Sequence, residues 1–230
     1  MRPWETLDAV DTEEGRLELR RRGPFGEEAE FVITVAGRVL MSSMAHLTEV
    51  AVAEIACGEI AGRERPRVLI GGLGMGFTLR AALDSLPKSG RVVVAEINEA
   101  VLRWCRGPLA PLTRRAAYDP RAKVVLEDVA EVIAEAARDA EKRFDAIILD
   151  LYEGPRNATQ AREDPFYGPA ALKRTREALT RGGVLAVWSE DPDAAFEKRL
   201  RSGGFNVERR KPGKGGPRHS VYIARPARSR

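Results

Sequence analysis

Short apolar runs alternate with longer amphipathic segments from about Arg65 onward. An apolar run followed by a helical segment is typical of a βαβ unit, in which a crossover helix joins two parallel strands. The predicted strands cover residues 68–70, 92–95, 124–126, 146–149 and 184–188. The predicted helices cover residues 77–86, 100–106, 129–142, 169–179 and 194–202. Because such crossovers are right-handed, helices are expected on both faces of a mostly parallel sheet.

The two ends of the chain have a different pattern. Two strands are predicted at 17–20 and 31–35, with a glycine- and proline-containing turn between them, and a helix from about 48 to 61 with Thr48 as its cap. An antiparallel hairpin is predicted at 206–209 and 220–224. We therefore expect a short N-terminal β element at residues 1–47 and an α/β, Rossmann-like domain at 48–230.

Composition narrows the class of protein. The chain has 230 residues, of which 43% are hydrophobic, enough to bury a substantial core. Its 38 basic and 34 acidic residues leave a net charge of only +4, which is too even for a nucleic-acid-binding protein. We therefore expect small-molecule partners and no nucleic acid.

The cysteines and the apolar segments bear on location. Cys57 and Cys105 form no CxxC motif and stand near no histidine cluster, so neither a disulfide framework nor a metal site is predicted. The first residues are polar and acidic, and the chain has no run of about 18 apolar residues. These features favour a cytoplasmic protein without a membrane segment.

The residues that follow the predicted strands carry the candidate chemistry, because ligands of open α/β sheets bind beyond the carboxyl ends of the strands. The first strand is followed by a loop with Gly72, Gly74 and Gly76, where the backbone can approach a ligand closely. The G-x-G-x-G spacing differs from the G-x-G-x-x-G of dinucleotide-binding proteins, which argues against a dinucleotide ligand. A tight turn between strand and helix is an alternative reason for these glycines.

Acidic residues follow the next three strands. Glu96 stands about 20 residues beyond the loop, where a carboxylate can bind ribose hydroxyls, although it could be a surface acid. Asp128 and the backbone N–H of Val129 can bind the edge of adenine, or Asp128 can cap a helix. Asp150 is expected in the crevice beside the glycine loop. This set suits a nucleoside with a cationic end, as in S-adenosylmethionine or a close relative.

These motifs together resemble the spermidine synthase family, the polyamine aminopropyltransferases, which share the fold of S-adenosylmethionine-dependent methyltransferases. The resemblance runs from about Arg38 to Ala224. Its motifs are VLIGGLGMG from Val68, AEIN from Ala95, EDV from Glu127, FDAIILD from Phe144, FY from Phe166 and LTRGGVL from Leu179.

The resemblance implies roles for particular residues. Gly72 and Gly74 would line the co-substrate, S-adenosylmethionine or its decarboxylated form, while Glu96 would hold its ribose and Asp128 with Val129 its adenine. Asp150 would be catalytic: in that family the aspartate accepts from an attacking amine and helps to deprotonate it. A homodimer is also implied, and no metal.

The chain departs from the family at several positions. Gly74 stands where the family carries an aspartate for the aminopropyl amine, and His46-Leu47-Thr48-Glu49 stands for Gln-x-Thr-Glu. Tyr152, Glu153 and Tyr167 are the predicted acceptor-pocket residues, whereas His46 is interpreted as a packing or capping residue. Three hypotheses follow: aminopropyl transfer to an amine or other nucleophile, methyl transfer from S-adenosylmethionine, and a non-catalytic nucleoside-binding module.

Overall fold

The fold contains two β-sheets and six α-helices in the part of the chain that the computed structural model describes, residues 3–24, 29–151, 154–155, 163–212 and 219–227. The first sheet is antiparallel, with strands in chain order. Its strands are β1 (Glu5–Thr12), β2 (Gly15–Arg22), β3 (Glu30–Val35) and β4 (Arg38–Ser42).

The N-terminal sheet therefore has two strands more than the sequence predicted. The predictions at 17–20 and 31–35 are confirmed by β2 and β3, whereas β1 and β4 were missed. Both missed strands lie at the edges of the sheet, and neither contains a buried residue. An edge strand that buries so little needs no strict apolar alternation, so its pattern is weak.

The second sheet has seven strands in the order β10-β11-β9-β8-β5-β6-β7. They are β5 (Arg67–Gly71), β6 (Arg91–Ala95), β7 (Ala122–Val125), β8 (Phe144–Leu149), β9 (Leu179–Ser189), β10 (Phe205–Arg210) and β11 (Ser220–Pro226). Strands β5 to β9 pair in parallel, and β10 with β11 forms the predicted antiparallel hairpin. The mostly parallel α/β fold is thereby confirmed.

The helices lie between the strands much as predicted. They are α1 (Leu47–Glu59), α2 (Phe77–Ser85), α3 (Glu99–Arg106), α4 (Val129–Arg138), α5 (Pro169–Ala178) and α6 (Ala194–Ser202). The predicted helix at 129–142 was too long: α4 ends at Arg138, and Asp139 caps a separate 3₁₀ turn by accepting from the N–H of Glu141 at 3.0 Å. The prediction that Thr48 caps α1 was wrong, because His46 precedes the helix and Thr48 is buried within it.

The seven-stranded sheet separates two apolar clusters. Val68 and Ile70 of β5 pack with α1, α2 and α3 on one face, whereas Leu69 packs with α4, α5 and α6 on the other. This division follows from the two-residue period of a strand. Leu19 and Ile33 of the N-terminal sheet belong to the first cluster. The division of the chain into domains at residues 47 and 48 remains a prediction.

The structure also bears on the cysteines and on membrane-spanning helices. Cys57 and Cys105 are both buried and unbridged. Within the described ranges, no helix is long and apolar enough to cross a membrane.

Candidate active site

The glycine loop follows β5 at the edge of the sheet where the parallel strands end. Gly72 has a φ of 88°, and its N–H donates to the carbonyl of Ala95 at 2.9 Å. A Cβ atom at Gly72 would lie 2.6 Å from the backbone oxygen of Asp150. Because only glycine tolerates both conditions, the end of β8 can lie directly against the loop.

The N-terminal sheet also reaches this loop, through Met41 of β4. A Cβ atom at Gly74, whose φ is 51°, would lie 2.7 Å from the Cε of Met41. The Met41 sulfur accepts from the N–H of Met75 at 3.1 Å. Met41 thus occupies the space that a side chain at position 74 would need. Sequence reasoning missed Met41, because no local motif marks a residue that meets the loop from another sheet.

Glu96 binds the backbone of the loop. Its carboxylate accepts from the N–H of Leu73 at 2.9 Å and from the N–H of Asn98 at 2.8 Å. Burial raises the pKa of Glu96, and the backbone hydrogen bonds oppose that shift. The alternative that Glu96 is a surface acid is wrong, since its exposed fraction is 8%. Its binding of ribose remains a prediction, and its observed contacts fix the shape of the loop.

Asp128 and Val129 lie at the start of α4. The Oδ1 of Asp128 accepts from the N–H of Ala130 at 2.8 Å, so the helix-capping alternative is confirmed. Val129 is buried, and its side chain lies 3.0 Å from where a Cβ of Gly71 would be. The proposed contact of this pair with adenine remains a prediction.

Two exposed apolar side chains stand at the same edge of the sheet. Ile97 follows Glu96 and is 76% exposed, while Leu126 follows β7 and is 49% exposed. The strands before them are neighbours, with Ala95 paired to Val125. Sequence reasoning missed both residues, although an apolar residue directly beside a strand-end carboxylate was a usable signal.

Asp150 follows β8 and interacts with two polar residues, Thr78 of α2 and Glu49 of α1. Its Oδ2 accepts a hydrogen bond from the hydroxyl of Thr78 in α2. The pKa of Asp150 is raised to about 7, chiefly by burial and also by repulsion from Glu49 of α1, while the Thr78 hydrogen bond opposes the shift. A carboxyl group that titrates near neutral pH can both accept and release a proton. The sequence predicted Asp150 but neither Thr78 nor Glu49.

Glu49 begins a second set of polar contacts. Its Oε2 accepts from the hydroxyl of Thr48 at 2.8 Å, and the Nδ1 of His219 lies 3.2 Å from the same hydroxyl oxygen. The His219 ring meets the ring of Trp188 edge-on, with centroids 5.2 Å apart. Residues from α1, from β9 and from the segment just before β11 therefore meet beside Glu49.

His46 lies at the start of α1, close to the glycine loop. Its ring stacks on Phe77, the first residue of α2, with centroids 4.0 Å apart, and its Nδ1 lies 2.7 Å from the carbonyl oxygen of Ser43. The carbonyl can only accept, so Nδ1 carries a proton. These contacts agree with the interpretation of His46 as a packing residue.

The predicted acceptor-pocket residues divide into two groups. Tyr167 is buried, and its hydroxyl has no hydrogen-bond partner among the described residues. Burial raises the pKa of Tyr167, and the charges of Asp164 and Asp150 add to the shift. Tyr152 and Glu153 lie outside the described residues. Tyr167 is therefore the candidate whose position near Asp150 is defined.

The described part of the chain brings together no group of three or more His, Cys, Asp or Glu side chains that could hold a metal ion.

Comparison with known proteins identifies close relatives of the sequence. The spermine/spermidine synthase domain model matches residues 45–199. Polyamine aminopropyltransferase 1 of Hyperthermus butylicus is 38% identical over 136 residues, which are 57% of this chain and 44% of that protein. The polyamine aminopropyltransferase of Pyrobaculum neutrophilum is 36% identical over 120 residues, or 52% and 40% of the two chains. The matched region spans less than half of each relative.

Solved structures with the same fold come from two groups of proteins. Spermidine synthase from Thermotoga maritima matches with a TM-score of 0.70 and 20% identity, covering 96% of this chain and 72% of that one. Human methyltransferase-like protein 13, solved with SAH, matches with a TM-score of 0.58 and 21% identity, covering 79% and 82%. At these identities the likeness establishes the fold alone.

Proposed function

The chain belongs to the spermine/spermidine synthase family, and from this premise we propose that it transfers an aminopropyl group from a sulfonium nucleoside to a small-molecule amine. The observation that carries the proposal is the position of Asp150 at the end of β8. Its backbone lies against the glycine loop, and its carboxyl group, which is repelled by the charge of Glu49, has a pKa raised to about 7. The similar proteins from Hyperthermus butylicus and Pyrobaculum neutrophilum are named polyamine aminopropyltransferases, which agrees with this proposal.

We propose decarboxylated S-adenosylmethionine as the donor. The backbone of Gly72, Gly74 and Gly76 would lie against it, and the carboxylate of Glu96 would accept from its ribose hydroxyls. Asp128 and the N–H of Val129 would bind the adenine edge, with Ile97 and Leu126 supplying apolar surface for its faces. Their exposure of 76% and 49% supports this role, since neighbouring large apolar side chains left exposed on a surface commonly mark a binding site.

Asp150 would act on the acceptor amine. In its ionised form the carboxylate accepts a hydrogen bond from the amine and orients the nitrogen lone pair toward the carbon next to the sulfonium. The new N–C bond forms as the C–S bond breaks, and methylthioadenosine leaves with the sulfur lone pair. Asp150 stabilises the positive charge that develops on nitrogen and accepts the proton, which then passes to solvent.

Met41 fills the space beside Gly74, and this affects which donor the site can bind. No carboxylate can stand at position 74 without displacing the Met41 side chain, since a Cβ there would lie 2.7 Å from its Cε. The amine of an aminopropyl group would therefore depend on the remaining acids of the site, Asp150 and Glu49. A donor that retains its own carboxylate would instead meet both acids with unfavourable charge.

Calorimetric binding of S-adenosylmethionine and of its decarboxylated form tests the donor directly. The proposal predicts tighter binding of the decarboxylated form and, for Asp150→Asn, weaker discrimination between the two. A preference for intact S-adenosylmethionine would favour methyl transfer, the hypothesis to which Gly74 also points. Binding of a donor without turnover of any amine would favour a non-catalytic module.

A further inference from the structure

A chain of hydrogen bonds links His219 to the carboxyl group of Glu49. The Nδ1 of His219 lies 3.2 Å from the Oγ1 of Thr48, and that hydroxyl lies 2.8 Å from the Oε2 of Glu49. Thr48 and Glu49 are 4% and 8% exposed. Since His219 and Thr48 are 171 residues apart, the contact exists only because the start of β11 is placed against α1.

The number of available protons determines which group donates in each of these hydrogen bonds. The Thr48 hydroxyl has one proton, and if it donates that proton to an ionised Glu49, His219 must donate to Thr48 through Nδ1–H. The reverse order would require a protonated Glu49 and an Nδ1 without a proton. The first order contains a hydrogen bond to a charged carboxylate, which is roughly twice as strong as a neutral one. It is therefore the favoured direction.

Asp150 is the acid paired with Glu49. The hydroxyl of Thr78 can form a hydrogen bond with Asp150 whether Asp150 is ionised or protonated. The Oγ1 of Thr78 hydrogen-bonds to Asp150 and also lies 3.4 Å from the backbone oxygen of Glu49. When Asp150 is ionised, Thr78 donates to it; when Asp150 is protonated, it can donate to Thr78, which then donates to the Glu49 carbonyl. Asp150 can thus exchange a proton without leaving a hydroxyl unsatisfied.

We propose that His219 and Thr48 are positioning residues that hold the negative charge of the Glu49–Asp150 pair on Glu49, so that Asp150 is the member that takes up and releases the proton. Two neighbouring carboxyl groups in a buried site ionise in sequence rather than together. The hydroxyl of Thr48, which donates to Glu49, stabilises the negative charge on that carboxylate. The repulsion of Asp150 by the Glu49 charge agrees with this order.

The described titratable groups around the pair come from several elements. Glu49 lies in α1, Asp150 follows β8, His219 precedes β11, and Tyr167 precedes α5. His46 stands at the start of α1 with its ring against Phe77. Burial and the charges of Asp164 and Asp150 raise the pKa of Tyr167, so it stays neutral while Asp150 titrates. The negative charge of the site is therefore divided between the two carboxyl groups.

Carbon-13 NMR of the side-chain carboxyl groups, titrated in the full chain without substrate, tests the inference. Thr48→Val removes the donor to Glu49 with little change in volume. Some of the negative charge should then pass to Asp150, and the midpoint of the Asp150 titration should fall by about half a pH unit or more. His219→Leu should lower the midpoint in the same direction, by less.

Matched variants separate positioning from packing. Thr48→Ser keeps the hydroxyl and His219→Asn keeps a donor near the place of Nδ1, so both should restore the wild-type midpoint. The carboxyl resonance of Asp145, at the opposite end of β8, reports whether each variant is folded. If Thr48→Val fails to fold, His219→Leu carries the test, because His219 is only partly buried.

The inference is overturned if the Asp150 midpoint is unchanged or rises in folded Thr48→Val and His219→Leu. It is also overturned if the serine and asparagine variants shift as far as valine and leucine. Its consequence for catalysis rests on the proposed function, but the titration needs no turnover. A protein with the predicted shifts and no transferase activity would refute the proposed function and leave this inference standing.

Discussion

The two aspartates at the ends of β8 have opposite environments. Asp145, at the start of the strand, accepts from the guanidinium of Arg63 at 2.6 Å, the hydroxyl of Thr180 at 2.7 Å and the N–H of Arg67 at 2.8 Å. Asp150, at the end, has the hydroxyl of Thr78 and the repulsive charge of Glu49. One strand thus holds a stabilised carboxylate at one end and a destabilised one at the other.

This difference separates structural from functional charge. Asp145 joins the strand to the segment before β5 and to β9, and donors surround its negative charge. Asp150 lacks a comparable set of donors among the described residues, so its pKa is raised from an ordinary 3.8 to about 7. An acid kept in this condition weakens the fold and is suited to proton transfer. Substitutions at the two ends of β8 test this contrast.

Asp150→Asn should have the largest effect. Removing the proton acceptor should lower kcat/KM by about 1000-fold, the usual contribution of a general base. Aminopropyl transfer followed by detection of methylthioadenosine measures this loss. Activity within a few-fold of wild type would contradict the role of Asp150 as the base.

The same variant should alter how stability depends on pH. Below pH 3.8 Asp150 is protonated in both the folded and the unfolded chain; between there and about 7 only the unfolded chain releases the proton. The free energy of unfolding of the wild type should therefore fall as pH rises through this window and then level off. Asp150→Asn should lack that component in urea unfolding at several pH values, and identical curves would contradict it.

Asp145→Asn should affect stability rather than activity. It removes a buried carboxylate that binds three donors, so the free energy of unfolding should fall by about 2 kcal/mol, as for hydrogen bonds to charged groups. Chemical unfolding measures the change, and kcat should stay close to wild type. A large loss of kcat in a folded variant would show that the two ends of β8 are not separate in function.

Glu49→Gln should make Asp150 more like Asp145. The amide keeps the shape of the side chain and removes its charge, so the acidic limb of the pH profile of kcat/KM should move to lower pH by about one unit. Glu49→Asp keeps the charge and serves as the control. A limb that stays in place would show that Glu49 does not repel Asp150.

Thr78→Val should have the smallest effect and the opposite sign. The Thr78 hydrogen bond lowers the pKa of Asp150, so its loss should move the same acidic limb upward, by about half a unit. Thr78→Ser should leave the limb near its wild-type position. A downward shift in the valine variant would contradict the assigned hydrogen bond.

Much of the fold could be predicted because buried parallel strands are continuous apolar runs. The strands at 68–70 and 146–149 were found for this reason, whereas β1 and β4 were missed because edge strands that bury no residue need no such run. Glu96, Asp128 and Asp150 could be predicted for a related reason. Glu96 and Asp150 directly follow a strand and Asp128 lies shortly after β7, and the parallel order of the strands brings those positions to one edge.

The partners of these residues could not be predicted. Thr78 lies 72 positions from Asp150, Met41 lies 34 positions from Met75, and His219 lies 171 positions from Thr48. These contacts depend on how helices and sheets pack, and no local pattern encodes them. The sequence was therefore enough to locate the acids, whereas their hydrogen-bond partners and neighbouring charges could be found only from the structure.

Product analysis with decarboxylated S-adenosylmethionine and a diamine acceptor, for the wild type and for Asp150→Asn, tests the proposed transfer directly. We expect methylthioadenosine and an aminopropylated amine from the wild type, and about 1000-fold less of both from the variant. S-adenosylhomocysteine formed from intact S-adenosylmethionine, with no methylthioadenosine from the decarboxylated donor, would contradict it.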